Sequence, residues 1–259
     1  MKIQQLGSSL DSGCATQYLT TFLINDYVAI DAGCLGLLTP VSKQQSIEHV
    51  FLSHSHLDHV ASLPLFLDNI YEQESQPPAV YAHEDVWRTL KTDLFNDRLW
   101  PDLLRIGAKG NRFLEEHLLV SELPIALSGL RITPVAVNHV IPTLGFLVED
   151  DQSAVIIASD TGPTERLWEL AGLQPFRQKL QAVFLECSFS ADQAWLANES
   201  KHLHSSIFAA EIGKLSAIPR FITVAVHLKG SLREQIEREL TALDLADLQM
   251  GGADRTWEF

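Results

Sequence analysis

One stretch constrains this chain more than any other: Phe51-Leu52-Ser53-His54-Ser55-His56-Leu57-Asp58-His59. An apolar run leads straight into three histidines and an aspartate within six residues. Extended backbone puts alternate side chains on one face, so His54 and His56 point the same way. A tight turn must then bring Asp58 and His59 back toward them. Imidazole and carboxylate ligate zinc, and also iron or manganese. Four such groups are too many for one tetrahedral site that keeps an open position. They suit two adjacent metals completed by residues from elsewhere. The plainer reading is a polar loop that caps a strand. It would leave these groups to be desolvated without partners beside an apolar run, which is costly.

The completing ligands are expected at other strand ends. Apolar, β-branched and aromatic runs predict strands at residues 18–23, 27–31, 49–52, 80–82, 132–137, 154–159, 183–186 and 221–226. Helical patterns fall at 63–71, 84–94, 163–171, 191–197, 205–215 and 232–240. Ser231-x-x-Glu234 reads as a capping box for the last of them. The mixture predicts an α/β or α+β chain with helices covering sheets. His139, Asp160 and His227 each follow a predicted strand. With the four above they make a supply suited to two metals sharing a bridging carboxylate. Residues 73–78 read as a polar loop, and 99–122, the least periodic stretch, as an insertion or lid. Nothing divides the chain, so one metallo-hydrolase domain over 1–259 is expected.

This pattern, His54-x-His56-x-Asp58-His59 followed by His139, Asp160 and His227, resembles the metallo-β-lactamase superfamily. Asp31, in Ala29-Ile30-Asp31-Ala32-Gly33, resembles that family's supporting aspartate. The resemblance implies an αβ/βα sandwich, with two mixed sheets face to face, helices outside and the site at one rim. It also implies His54, His56 and His139 on one metal, Asp58, His59 and His227 on the other, and Asp160 between them. The cofactor expectation is two divalent ions, zinc first, with manganese or iron as alternatives.

Aspartate rather than cysteine at position 160 points away from cysteine-ligated lactamases. The run from His56 through Pro64, the Phe95-Asn96-Asp97 and Trp100-Pro101-Asp102 segment, and the runs beginning at Ser159, Leu185 and Lys201 are similar to class II cyclic-nucleotide phosphodiesterases. The activity implied is hydrolysis of 3′,5′-cyclic nucleotides (cAMP or cGMP) to 5′-monophosphates by a metal-bridged hydroxide. Asp58, His202 and Glu186 are the expected catalytic residues. His202 follows Glu186 by 16 residues, as the corresponding histidine does in those families. It is the candidate acid or oxyanion partner, held by Glu186, with His204 the alternative. Phe95, Asn96, Trp100 and His204 are the expected substrate-binding residues, the first three as an aromatic and amide wall for a base. The alternative reading is an RNase Z-like endoribonuclease acting on tRNA precursors, which shares the metal motif and Glu186-Cys187-Ser188.

Composition weighs against that alternative. The 259 residues carry 33 acidic and 19 basic side chains, a formal charge of −14. A long polyanion is repelled on average, so nucleic acid is an unfavoured partner. A small cyclic nucleotide feels mainly the local field. Cys14, Cys34 and Cys187 are odd in number and far apart, which argues against a disulfide framework. No apolar segment follows Lys2 as in a signal peptide, and no run suits a membrane span. A cytoplasmic protein without membrane contact is expected, and the resemblance makes a homodimer reasonable.

Overall fold

The computed structural model describes residues 1–8, 17–73 and 76–259. Cys14 and positions 74 and 75 of the polar loop lie outside the described residues. Among the described residues the strands form two seven-stranded sheets. The first contains β1 (Lys2–Gln5), β2 (Phe22–Ile24), β3 (Val28–Ile30), β4 (His49–Phe51), β5 (Ala79–Ala82) and β6 (Glu115–Leu118). The second contains β7 (Ile125–Leu127), β8 (Leu130–Val137), β9 (Thr143–Glu149), β10 (Ala154–Ala158), β11 (Leu180–Glu186), β12 (Ile222–Val226) and β13 (Leu248–Met250). The last strand, β14 (Arg255–Glu258), returns to pair with β1. Each sheet is antiparallel toward one edge and parallel toward the other: β3-β4-β5-β6 in the first, β10-β11-β12-β13 in the second.

Period-two alternation explains the layering. Ile30, Phe51, Ile157, Phe184 and Val226 point between the sheets, while Ala29, Val50, Ile156, Leu185 and Ala225 face helices outside. Strands buried on both faces read as continuous apolar runs, which is why these were the legible ones. Phe22 meets Phe184 edge-on at 5.6 Å, and Phe51 meets Phe146 at 6.1 Å, tying one sheet to the other. Each such pair adds about 0.5–1.5 kcal/mol beyond its area burial.

Among the described residues the α-helices are α1 (Val41–Gln45), α2 (Leu57–Val60), α3 (Leu63–Ile70), α4 (Glu84–Thr89), α5 (Leu103–Gly107), α6 (Arg166–Ala171), α7 (Phe176–Lys179), α8 (Ala194–Glu199), α9 (Ser205–Gly213) and α10 (Arg233–Thr241). None is long and apolar enough to cross a membrane.

Four expectations are corrected. The 99–122 stretch is not an appended insertion. It carries α5 and edge strand β6, whose residues pair with β5 in the register Ala79 opposite Glu115. Its Glu-Glu-His-Leu sequence alternates half-buried and exposed positions and lacks an apolar run. Strand β2 starts at Phe22, because the Thr20 N–H goes to the Asp58 carbonyl instead of a ladder. Helix α6 starts at Arg166, because Thr161, Gly162 and Thr164 give their N–H groups to Glu186, Asn138 and Glu211. Ser231 makes no capping box, since Gly230–Leu232 form a 3-10 turn and Leu232 takes the cap position without a side-chain bond.

Cys34 and Cys187 are free and fully buried. Burial pushes the Cys34 thiol up to about 12, and burial with the Glu186 charge raises Cys187. The thiolate is the reactive form. Both are therefore expected to resist maleimide at neutral pH in the folded chain and to react fully in guanidinium, as read by peptide mass spectrometry. Rapid native labelling of Cys34 would contradict this packing.

Candidate metal centre

The parallel strands all end on one rim. Asp31 follows β3, Ser53 and His54 follow β4, and Asp160 follows β10. Glu186 closes β11, with Ser188 two residues on, and His227 follows β12. His139 follows β8, which runs antiparallel to β9 and hence in the direction of β10. Ligands gather at the carboxyl ends of strands in open α/β sheets for the same topological reason. From His54 the chain stays extended to His56, then turns into α2, which carries Asp58 and His59 back. Asp31 and His227 both sit in the left-handed region, with φ of 62° and 56°.

The side chains converge in two groups. His54 Nε2 lies 3.0 Å from His56 Nδ1, and His139 Nε2 lies 3.3 Å from that same atom. Across from them, Asp58 Oδ2 is 3.1 Å from His227 Nε2 and 3.6 Å from His59 Nε2. Asp160 faces both. Its Oδ2 is 3.6 and 3.8 Å from His54 and His139, while its Oδ1 is 3.2 and 3.5 Å from His59 and His227.

The outward Nδ1 nitrogens of four of these rings are engaged. His59 Nδ1–H donates to Asp31 Oδ2 at 2.7 Å, His139 Nδ1–H to the Lys201 carbonyl at 3.0 Å. His54 and His227 Nδ1 meet Ser53 and Ser188 Oγ at 2.9 and 2.8 Å. A neutral imidazole bonded outward through Nδ1–H presents a bare lone pair at Nε2. These lone pairs and two carboxylates therefore face one another, and His59 Nε2 and Asp160 Oδ1 are buried with no hydrogen-bond partner. A cluster of acceptors without donors is costly to bury. Cations between them remove the cost, so the residues present fit divalent metal.

The electrostatics agree. Burial alone would raise Asp160 and Asp58, yet the neighbouring histidines hold both below the ordinary carboxylate range. Burial would lower His59 and His227, but Asp160, with Asp31 for the former and Asp58 for the latter, raises both. His54, His56 and His139 are lowered, first by burial.

Of the two candidate acids, His202 is at the cluster. Its Nδ1 is 2.6 Å from Glu186 Oε1, its ring stacks on His227 at 5.7 Å, and it lies within ligand distance of Asp160 and His227. His204 belongs to none of the candidate ligand groups. It occupies the cap position of α9, buried, with Nδ1 lacking a partner. Phe95 and Asn96, expected in a base-binding wall with Trp100, serve the scaffold. Phe95 is 1% exposed within the core, leaving no ring face for a ligand. Asn96 closes its own turn, donating to the Thr92 carbonyl and accepting from the Arg98 and Leu99 N–H groups. Trp100 packs half-buried against the same core. Sequence reasoning missed Ser53, Ser188 and the Lys201 carbonyl, all bonded to cluster histidines. Only the adjacency of Ser53 to His54 and the position of Ser188 two residues after Glu186 offered a signal.

The family model described as class-II cAMP phosphodiesterases matches residues 37–197. The chain is 25% identical to a probable 3′,5′-cyclic-nucleotide phosphodiesterase of Yersinia pestis, over 93% of this chain and 82% of that one. In fold it is similar to unliganded yeast PDE1 (TM-score 0.79, 18% identity, 98% of each chain covered). It is also similar to the metallo-β-lactamase fold protein YhfI of Bacillus subtilis (0.71, 17%, 99% of each). Human tRNase Z, short form, shares the fold as well (0.65, 18%, 100% of this chain and 99% of that one). The family match covers more than half of the sequence and includes the His54–His59 turn, so the chain belongs to the class-II cAMP phosphodiesterases, metal-dependent hydrolases on the metallo-β-lactamase fold.

Proposed function

We propose that the chain hydrolyses 3′,5′-cyclic nucleotides to 5′-monophosphates using two divalent ions. One observation carries this: Asp160 turns one oxygen to each of two histidine groups. His54, His56 and His139 would hold one ion, Asp58, His59 and His227 the other, and Asp160 both. Zinc suits this donor set, as do manganese and iron. Bound there, divalent ions supply Lewis-acid neutralisation of the phosphodiester and acidify water toward neutral pH.

The chain's own residues do the rest. Asp31 and Glu186, both fully buried, fix ring orientation from outside the cluster. Hydrolysis breaks the bond between phosphorus and the 3′ oxygen, with hydroxyl going to phosphorus and a proton to the departing oxygen. His202 is placed to give that proton. Glu186 holds its Nδ1–H, so Nε2 is the atom left for transfer.

The test is turnover of cAMP and cGMP by metal-loaded chain, with products separated by chromatography. 5′-Monophosphate is expected from the intact chain. His202→Ala is expected to keep its metal and lose about 100-fold in rate, the lower end for a positioned acid. Full metal content with neither nucleotide consumed would overturn the substrate assignment.

A further inference from the structure

Two serines in this fold stand between a buried carboxylate and a histidine, one on each sheet. In the first sheet, Ser53 Oγ lies 2.9 Å from Asp31 Oδ2 and 2.9 Å from His54 Nδ1, while the same Asp31 oxygen accepts from His59. In the second, Ser188 Oγ lies 2.5 Å from Glu186 Oε2 and 2.8 Å from His227 Nδ1, while Glu186 Oε1 takes His202. The two constellations come from unrelated local sequences, Leu52-Ser53-His54 and Glu186-Cys187-Ser188.

A hydroxyl carries one proton. The contact with charged Glu186 is the shortest that Ser188 Oγ makes; the His227 carbonyl is at 3.2 Å and His202 Nδ1 at 3.3 Å. Hydrogen bonds to an ionised acceptor are the stronger ones, so the Ser188 proton goes to Glu186. Its lone pair is then left for His227 Nδ1–H, which leaves Nε2 bare toward Asp58 and Asp160.

We propose that Ser188 is a positioning residue for His227. It relays Glu186 to that ring, so one buried carboxylate orients the proton donor His202 directly and His227 through a hydroxyl. This rests on the reading of His227 as a metal ligand and His202 as the acid. Losing the hydroxyl need not unfold the chain. Glu186 keeps the Thr161, Ser188 and Leu203 N–H groups as well as His202. What is lost is the acceptor that selects the His227 tautomer.

The experiment compares zinc binding by wild type, Ser188→Ala, Ser188→Thr and His227→Ala, using a chromophoric chelator as competitor. Proton NMR of the zinc-loaded forms follows the His227 Nδ1–H. Ser188→Ala is expected to bind one of two zinc ions about 10–100-fold more weakly, the usual effect of removing an outer partner of a ligand. Its Nδ1–H signal should vanish by exchange, and Ser188→Thr should restore both readouts. If His227→Ala loses an ion while Ser188→Ala binds zinc as wild type does and keeps the signal, the relay is overturned and the ligand reading survives. Failure of Ser188→Thr to restore either readout also overturns the relay. If His227→Ala binds both ions normally, the ligand reading fails and takes the relay with it.

Discussion

Asp160→Asn is expected to leave the chain folded and to remove at least about 1,000-fold of its phosphodiesterase activity, because the metal contribution is several kcal/mol at about 1.4 kcal/mol per factor of ten. The side chain is buried, and its two oxygens face different histidine pairs. Asparagine keeps the shape but changes two things. It removes a full negative charge that the surrounding histidines hold well below the ordinary carboxylate range. It also turns one oxygen into an N–H donor. That donor can satisfy a ring nitrogen such as His59 Nε2, which has no partner in the native cluster. The variant cluster can thus satisfy itself without a cation, so metal content should fall along with rate. Elemental analysis and cAMP turnover on the same sample check both. Wild-type metal content together with wild-type turnover would sink the bridging role.

How far the sequence could be read follows from where each signal lives. Strands β3, β4, β10, β11 and β12 are buried on both faces and their apolar runs predict them, whereas β9, equally buried but interrupted by Gly145, is not among the predicted strands. Strands β1, β6, β7 and β14 carry exposed or half-exposed positions, and their short sequences look like loop. The metal motif was legible because six residues concentrate chemistry that an apolar neighbourhood would otherwise punish. The pairing of Asp160 with both groups was not, since it depends on β4, β8, β10 and β12 ending together on two different sheets. That expectation came from resemblance, and the geometry supplies a physical reason for it. Ser53 and Ser188 are common residues, and apart from standing next to His54 and two residues after Glu186 nothing local marks them. Phe95 shows the opposite case. An aromatic pair beside an amide suggested a base site, but the ring of Phe95 is spent in the core.

Gly33 shows most directly how a backbone contact distant in sequence holds the Asp58–His59 turn. Asp31 follows β3 in the left-handed region, and the chain then runs beneath the turn that carries Asp58. Ala32 N–H donates to the His59 carbonyl at 2.7 Å, Gly33 N–H to the Thr20 carbonyl at 3.0 Å, and Thr20 N–H to the Asp58 carbonyl at 2.8 Å. A Cβ on Gly33 would stand 2.0 Å from the Asp58 carbonyl oxygen and within 2.8 Å of the Thr20 N and O atoms. All three are backbone, so no rotamer change relieves the clash. Either the Asp58–His59 turn moves or the 31–34 segment does, and Asp31 is what orients His59. Gly33→Ala is therefore expected to cost about 3 kcal/mol, the upper range for overpacking a tight interior, or a fall in Tm of about 6–12 °C for a chain near this size. Zinc affinity should fall with it, because Asp58 and His59 lose their placement even in molecules that stay folded. Calorimetry of the metal-free chain separates the two effects, since the stability loss there owes nothing to zinc. A variant that melts like wild type and binds zinc like wild type would mean that the turn is held by something other than this close approach.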